Sequence, residues 1–276
     1  NLGKEDPEIR TNNMDKKEFV LKAVADKRAL IVDVSDKIFD YAEVGFHEFR
    51  TAKLYEEVLK KEGFQVEMGV GGMPTAFKAT YGTEKPVIGF LAEYDALPEL
   101  SQEGGCTMRK KAEGENPDGH GCGHNLLGAG AMAAALAVKA YLEEHPEAGS
   151  VVLFGCPSEE KGDGKAIMAR EGIFDGVDAA FTWHPGDKNE IWSESTLANV
   201  SVFFNFKGVT SHAAAAPELG RSALDAAELM SVGVNYLREH IISDARIHYA
   251  YRDVGGIAPN VVQGHSRVHY FIRAPK

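Results

Sequence analysis

The sequence from Ser150 to Glu160 reads SVVLFGCPSEE. Its first six residues form a short apolar run bounded by glycines, which predicts a fully buried β-strand. Its last two residues are adjacent carboxylates, just beyond the end of that strand. In open parallel sheets, ligands bind outside the carboxyl ends of the strands. This stretch therefore predicts an α/β fold with a functional site at one edge of the sheet.

Two further apolar runs have the same form. PVIGFLA (86–92) precedes Glu93 and Asp95, and DAAFTW (178–183) precedes His184. Helical periodicity alternates with these strands, over residues 16–62, 125–143 and 165–171. Strands that alternate with helices predict a mostly parallel sheet with helices on both faces.

The pattern changes after Ser195. An alternating strand over 199–206 is followed by an amphipathic helix over 222–240 and by strands over 246–251 and 267–273. This order predicts a smaller α+β domain. We place the boundary after residue 196, so that residues 14–196 form the first part of one domain. Residues 197–276 then form a second, incomplete domain.

Composition and charge exclude several classes of protein. The 276 residues include 41 acidic and 30 basic ones, a net charge of −11, which argues against nucleic acid or an anionic membrane as a partner. The longest apolar runs are shorter than the ~18 residues that span a bilayer. Three cysteines are too few for a disulfide framework, and an odd number suits a reducing compartment. We therefore expect a cytoplasmic protein.

Metal-binding residue types lie next to the predicted strands. Cys122 and His124 are in a glycine-rich segment directly before the Ala-rich helix, and Glu160 and His184 follow two of the strands. Thiolate, imidazole and carboxylate groups together suit zinc, manganese or another divalent transition ion. The helix N-terminus also favours a thiolate at Cys122. The convergence of these residues predicts a metal centre at one sheet edge.

Each candidate residue, taken alone, also fits an ordinary structural role. Cys122 could be a loop thiol and His124 a surface imidazole. Glu159-Glu160 could form a solvated acidic turn. Asp95 could cap a turn, and His184 could be a core histidine. The sequence leaves these alternatives open for each residue by itself.

A series of short motifs resembles metallopeptidase family twenty, the aminoacylase/amidohydrolase family. The motifs are EYDALP (93–98), GHGCGHN (119–125), PSEE (157–160), WHP (183–185), GVTSHA (208–213) and GGIAPN (255–260). They occur in the order and approximate spacing of that family, between residues 40 and 273. The branch they resemble holds the aminobenzoyl-glutamate hydrolase B subunit and the indole-acetyl-amino-acid hydrolases.

The resemblance implies a zinc-exopeptidase-like catalytic domain that binds two divalent ions, zinc or manganese. It also implies an inserted ferredoxin-like lid domain, through which the protein forms a homodimer. Relatives continue past Lys276 and supply another histidine ligand, so we expect the sequence to be part of a longer chain.

The same resemblance implies a role for each site residue. The metal ligands are Cys122, His124, Glu160 and His184. Glu159 is the general base, Asp95 is an acid that orients a ligand, and His212 polarises the scissile carbonyl in a neighbouring active site. Asn260 and Arg273 bind the substrate carboxylate. Glu93 is expected beside the metal ions rather than on them.

The implied function is hydrolysis of an amide bond next to a free carboxylate, by metal-activated water with a glutamate as general base. The substrate is a small N-acyl amino acid or a dipeptide-like molecule. A non-catalytic metal-binding or partner subunit of the same family is the main alternative. A metal-dependent aldolase or isomerase is a weaker one.

Overall fold

Five strands form the sheet of the first part of the chain. The computed structural model describes residues 7–193 and 195–275, with side chains from residue 16 onward. Contacts divide the chain into two units, residues 1–189 and 190–276. The domain boundary that the sequence predicts, after residue 196, lies a few residues beyond this division and stays a prediction. Lys276 lies outside the described residues.

The first unit alternates helices and strands. In chain order they are α1 (Pro7–Asp26), α2 (Arg28–Tyr41), α3 (Phe49–Lys61), β1 (Gln65–Met68), β2 (Phe77–Tyr81), β3 (Val87–Ala92), α4 (His124–Glu144), β4 (Ser150–Gly155), α5 (Gly164–Arg170) and β5 (Ala179–Phe181). The strand order in the sheet is β1-β2-β4-β3-β5. β3 is parallel to β4 and β5, whereas β2 is antiparallel to both β1 and β4. All strands except β2 therefore run in one direction, which confirms a mixed α/β fold with a mostly parallel sheet.

Strand β4 shows why its sequence is continuously apolar. Val151 and Leu153 pack into a core cluster with helices α2, α3 and α4 on one face of the sheet. Val152 and Phe154 pack on the opposite face, against Met168 of α5. Helices cover both faces, so every residue of this strand is buried. Each such side chain stabilises the fold by roughly 1.5–3 kcal/mol relative to an exposed one.

Helix α4 is the most apolar helix of the first unit's core. Its length and apolar composition would suit a membrane-spanning helix, a property that core helices share. Its small residues pack against β3 and β4, and 61% of its most apolar window is buried. Packing on the sheet therefore accounts for its composition.

The N-terminal helical region is interrupted where the sequence pattern predicts one continuous stretch. Helix α2 ends at Tyr41, the next residue, Ala42, has a left-handed backbone with φ of 42°, and α3 begins only at Phe49. The four-residue strand β1 and the antiparallel direction of β2 were not predicted either. Helical periodicity in the sequence does not register a short break, and an apolar run does not reveal the direction of a strand.

In its described residues, the second unit is an antiparallel sheet with one α-helix. It contains β6 (Ala198–Lys207), α6 (Ala223–Leu237), β7 (Arg246–Asp253) and β8 (His265–Ala274), and the strand order is β6-β8-β7. Ala227 of α6 packs against Val268 and Tyr270 of β8. The unit therefore has the α+β character expected from the sequence, while its role as an inserted lid remains a prediction.

Candidate metal centre

The chain order places the candidate residues at one rim of the sheet. Segments that carry carboxylates or a histidine follow β3, β4 and β5, and parallel strands end on the same side. Helix α4 begins there as well. Gly123, the residue before it, has a φ of +77°, a left-handed conformation that glycine adopts without strain. This turn separates Cys122 from His124 and presents both at the start of α4.

His124 is the centre of the cluster, and its side chain is fully buried. Its Nδ1 lies 3.0 Å from Asp95 Oδ1. Its Nε2 lies 3.2 Å from Glu93 Oε2 and 3.7 Å from Glu159 Oε2. One imidazole therefore contacts carboxylates that follow two different strands.

The other predicted ligands gather around this imidazole. Cys122 Sγ lies 3.2 Å from His184 Nε2, and the candidate ligand atoms of Cys122, His124 and His184 are all within 4.8 Å of one another. Glu160 Oε1 lies 3.9 Å from His124 Nδ1. The Glu160 backbone N–H donates to Asp95 Oδ2 at 3.0 Å. The four residues predicted as ligands thus occupy one place, and their role as ligands stays a prediction.

The free atoms of the cluster fit a divalent metal ion. His124 Nε2, Glu93 Oε2 and Glu160 Oε1 are buried and make no hydrogen bond within the described residues. A buried polar atom without a partner costs about 1–3 kcal/mol, which a coordinated cation would remove. A second group, Glu93, His124 and Glu159, also has its ligand atoms within 4.8 Å. The two groups share His124 and combine a thiol, imidazoles and carboxylates.

The electrostatics of the cluster correct one expectation. Burial raises the pKa of the Cys122 thiol to about 12, and the nearby Glu160 carboxylate adds to the shift. The helix N-terminus was expected to favour a thiolate, but burial and neighbouring carboxylates outweigh it. Burial also raises the pKa of Glu160. A bound cation would reverse both shifts, because metal binding displaces protons from its ligands.

Asp95 and His124 form a tightly coupled pair. Burial alone would raise the pKa of Asp95, but hydrogen bonds from His124 and from the Glu160 backbone bring it below its ordinary value. Burial disfavours a protonated His124, yet Asp95 and Glu93 raise the pKa of its imidazole. Asp95 therefore accepts a hydrogen bond from Nδ1 and leaves Nε2 as the free ligand atom, as in carboxylate–histidine–metal arrangements.

Two contacts near the cluster were missed by sequence reasoning. Lys165 Nζ lies 2.6 Å from Glu93 Oε1, so a cation from α5 neutralises part of the acidic cluster. The Ser158 backbone N–H donates to the carboxylate of Glu48, which is fully buried. No motif or spacing marks Lys165 or Glu48, because each contact joins distant parts of the chain.

The remaining predicted residues lie in the second unit. His212 is exposed, and its Nδ1 accepts hydrogen bonds from the backbone of Ala214 and Ala215. The Ala213 N–H donates to the carbonyl of Asn260, so two of the motifs run side by side. Arg273 is partly buried on β8, and its Nε has no hydrogen bond within the described residues. The roles of His212, Asn260 and Arg273 stay predictions.

Comparisons with known proteins agree on one family. Residues 89–271 match the sequence profile of peptidase family M20/M25/M40. The B subunit of p-aminobenzoyl-glutamate hydrolase from Escherichia coli K12 is 51% identical over 94% of this chain and 53% of its own length. The mouse Xaa-Arg dipeptidase is 35% identical over 74% of this chain and 45% of its own. The chain spans about half the length of these curated relatives.

Solved structures show the same fold. A dinuclear metal-binding peptidase of the M20 family from Bacillus subtilis superposes with a TM-score of 0.56 at 20% identity. The superposition covers 94% of this chain and 65% of that one. The match of the family profile to about two thirds of the chain, together with the identity to the E. coli protein, decides the classification. The chain belongs to peptidase family M20/M25/M40.

Proposed function

We propose that this protein is a metal-dependent hydrolase of small N-acyl amino acids or dipeptides, which cleaves the amide bond next to a free carboxylate. The observation that supports this most directly is the buried cluster around His124, with free ligand atoms and with Glu159 beside them. Two relatives are named for hydrolysis of an acyl-glutamate and of a dipeptide. Both names describe small substrates with an amide bond to an amino acid.

Cys122, His124, Glu160 and His184 would hold the metal, and we propose two ions, zinc or manganese. A bound divalent ion lowers the pKa of water from ~15.7 to about 7 and polarises a carbonyl. Glu93 was expected beside the ions rather than on them, but its Oε2 lies 3.2 Å from His124 Nε2, close enough to bind an ion there. Lys165 already pairs with the other Glu93 oxygen, so it limits the negative charge that Glu93 adds to the site.

Glu159 is the proposed general base. Its side chain is 39% exposed and its Oε2 lies 3.7 Å from His124 Nε2, so water can reach it next to the ligand atoms. It would take a proton from the attacking water and deliver it to the leaving nitrogen, a role that contributes about 10²–10⁴-fold. Asp95 would keep His124 in the tautomer that leaves Nε2 free.

The second unit would supply substrate contacts and assembly. We propose that Asn260 and Arg273 bind the substrate carboxylate and that His212 polarises the scissile carbonyl of a neighbouring site. The free Nε of Arg273 is available for such a pair. Homodimerisation through residues 197–276 as a lid is part of this proposal, although the E. coli relative is named as one subunit of an enzyme. The cytoplasm is the proposed location, since all three cysteines are free thiols.

Replacing Glu159 tests the proposal. The Glu159→Gln variant should keep its metal content and lose about 10²-fold or more of kcat, because the amide cannot accept a proton. Metal content is measured by elemental analysis, and turnover with a panel of N-acyl amino acids and dipeptides that includes p-aminobenzoyl-glutamate.

Glu147→Gln is the matched control, because Glu147 is exposed and lies outside the cluster. It should change neither quantity. Full turnover by Glu159→Gln would contradict the general-base role. Bound metal without hydrolysis of any substrate by the wild type would favour the non-catalytic alternative.

A further inference from the structure

Glu48 is a buried acid that the proposed mechanism does not use. It directly precedes α3 and has no exposed surface. Burying a carboxylate is unfavourable unless hydrogen bonds or a cation compensate it. Within the described parts of the chain, no salt bridge reaches Glu48. Its two oxygens instead accept hydrogen bonds from Ser158 N–H at 2.8 Å and from Thr75 Oγ1 at 2.9 Å.

The first of these hydrogen bonds holds an unusual turn. Ser158 has a φ of +57°, a left-handed conformation that costs a residue with a side chain roughly 1–3 kcal/mol and persists only where its surroundings fix it. A side chain at Gly45 would come within 2.5 Å of Ser158 Oγ, so the loop before Glu48 is shaped around this turn. Glu159 and Glu160 follow Ser158 directly. The turn therefore sets where both carboxylates point.

The second hydrogen bond leads to the neighbouring strand end. The Thr75 carbonyl accepts a hydrogen bond from the Tyr94 hydroxyl at 2.6 Å. Tyr94 lies between Glu93 and Asp95, and Asp95 in turn accepts from the Glu160 backbone. One buried carboxylate is thus linked to the segments after β3 and after β4, which carry the acidic side chains of the cluster.

We propose that Glu48 is a positioning residue of the metal centre: its two hydrogen bonds fix the Ser158 turn and thereby the places of Glu159 and Glu160 around His124. The inference rests on the proposed function, because it concerns the same site. It requires two hydrogen-bonding atoms at the correct reach rather than a negative charge.

Three substitutions at Glu48 test separately the length, the hydrogen-bonding capacity and the charge of its side chain. In Glu48→Gln, the amide oxygen can accept from Ser158 and the amide nitrogen can donate to Thr75 Oγ1, so zinc affinity and kcat should stay near wild type. Glu48→Met has a similar length but leaves Ser158 N–H unpaired, and zinc affinity should fall about 10–100-fold, as for other residues that orient metal ligands. Glu48→Asp keeps the charge but is too short for both bonds, and we expect a loss in the same direction.

Zinc affinity is measured by competition with a chromophoric chelator, kcat and KM with the best substrate of the panel, and stability by thermal unfolding. Leu142→Ala is the matched control, because Leu142 is a buried residue at the far end of α4. It should lower the unfolding temperature and leave zinc affinity unchanged. The positioning role predicts that, in Glu48→Met and Glu48→Asp, kcat falls by a larger factor than KM rises.

Wild-type zinc affinity and kcat in Glu48→Asp, or in a folded Glu48→Met, would overturn the inference. If Glu48→Met does not fold, Glu48→Asp alone decides. Failure of the wild-type protein to bind zinc or hydrolyse any substrate would instead overturn the proposed function. The two failures are therefore distinguishable.

Discussion

His124 illustrates what could be predicted at the scale of single residues. The sequence placed acidic, thiol and imidazole side chains after strands and before a helix. In the structure the carboxylates lie within 4 Å of this imidazole, and the Cys122 and His184 ligand atoms lie within 4.8 Å of its own. The periodicity of the sequence and the rule that ligands bind at the carboxyl ends of parallel strands suffice to predict that convergence. They do not identify Lys165 or Glu48. The hydrogen bond of Glu48, for example, joins it to Ser158, 110 positions later in the sequence. Contacts of that kind depend on packing, which one sequence does not display.

The pH dependence of stability should reveal the burial of Glu48. Burial raises the pKa of Glu48 above its ordinary value of 4.5, so the folded protein binds this proton more tightly than the unfolded chain does. The resulting stability is fully present below pH 4.5 and is lost as the pH rises through the folded-state pKa. Glu48→Gln should therefore unfold at a higher temperature than wild type at neutral pH, with a difference that shrinks toward acidic pH.

Thermal unfolding between about pH 4 and pH 8, with a chelator present throughout, checks this expectation. The exposed Glu147→Gln variant serves as the control and should follow wild type at every pH. A constant difference between Glu48→Gln and wild type across this range would show that the ionisation of Glu48 does not contribute.

At the scale of elements, the strands that carry the site were the easiest to predict. β3 and β4 are apolar runs bounded by glycine, proline or acidic residues, and α4 follows a glycine-rich segment. The run 178–183 was expected to be a buried strand as well, but β5 has only three residues and all are exposed at the sheet edge. The break between α2 and α3 was harder, although it contains Gly45 and Glu48. This break is important because it contacts the Ser158 turn, and its own sequence pattern does not indicate that contact.

Helix α4 approaches the end of β3 closely at Gly128. A Cβ at this position would lie 2.4 Å from the Tyr55 hydroxyl and 2.7 Å from the Glu93 carbonyl oxygen. Gly128→Ala should therefore destabilise the protein by about 1–3 kcal/mol through overpacking, which exceeds the roughly 1 kcal/mol gained in helix propensity. Because His124 lies one turn earlier on the same face, zinc affinity should fall as well.

Gly233 in α6 provides the opposite case for comparison. No atom lies within 4 Å of a Cβ built there, so Gly233→Ala should stabilise the protein by about 0.5–1 kcal/mol. Chemical unfolding of both variants measures the free energies. Equal stabilisation by the two substitutions would mean that α4 can move away from β3 without penalty.

At the scale of the whole molecule, the sequence predicted a mostly parallel α/β part followed by an α+β part. The candidate metal ligands all lie in the first unit, and α6 with its sheet forms a second core. The assembly of copies and the identity of the acyl group depend on surfaces and pockets that no periodic pattern encodes. For these features the sequence supports only proposals.

Metal binding should stabilise the two units unequally. A ligand that binds only the folded state adds about 4 kcal/mol at 1,000 times its Kd. Zinc should therefore slow amide hydrogen exchange in the segments 93–95, 124–127 and 158–160, with little change in β6 and β8. Hydrogen exchange followed by mass spectrometry measures this difference.

Cys122→Ser should reduce the protection caused by zinc in the first unit, because a hydroxyl is a weaker zinc ligand than a thiolate. Protection that is equally large in β6 and β8 would contradict a site confined to the first unit.

The reversed direction of β2 has a practical consequence for handling this protein. It places the connection 82–86 at the sheet edge opposite the candidate metal centre. The segments 145–149 and 172–178 lead into β4 and β5 at that same opposite edge. Backbone hydrogen bonds from Ser150 to Pro86 and from Asp178 to Val87 tie these connections together. A fluorophore, affinity handle or solid support attached at the exposed Lys85 would face away from the candidate metal centre. Immobilised samples prepared in that way should keep the candidate metal centre open to solutes.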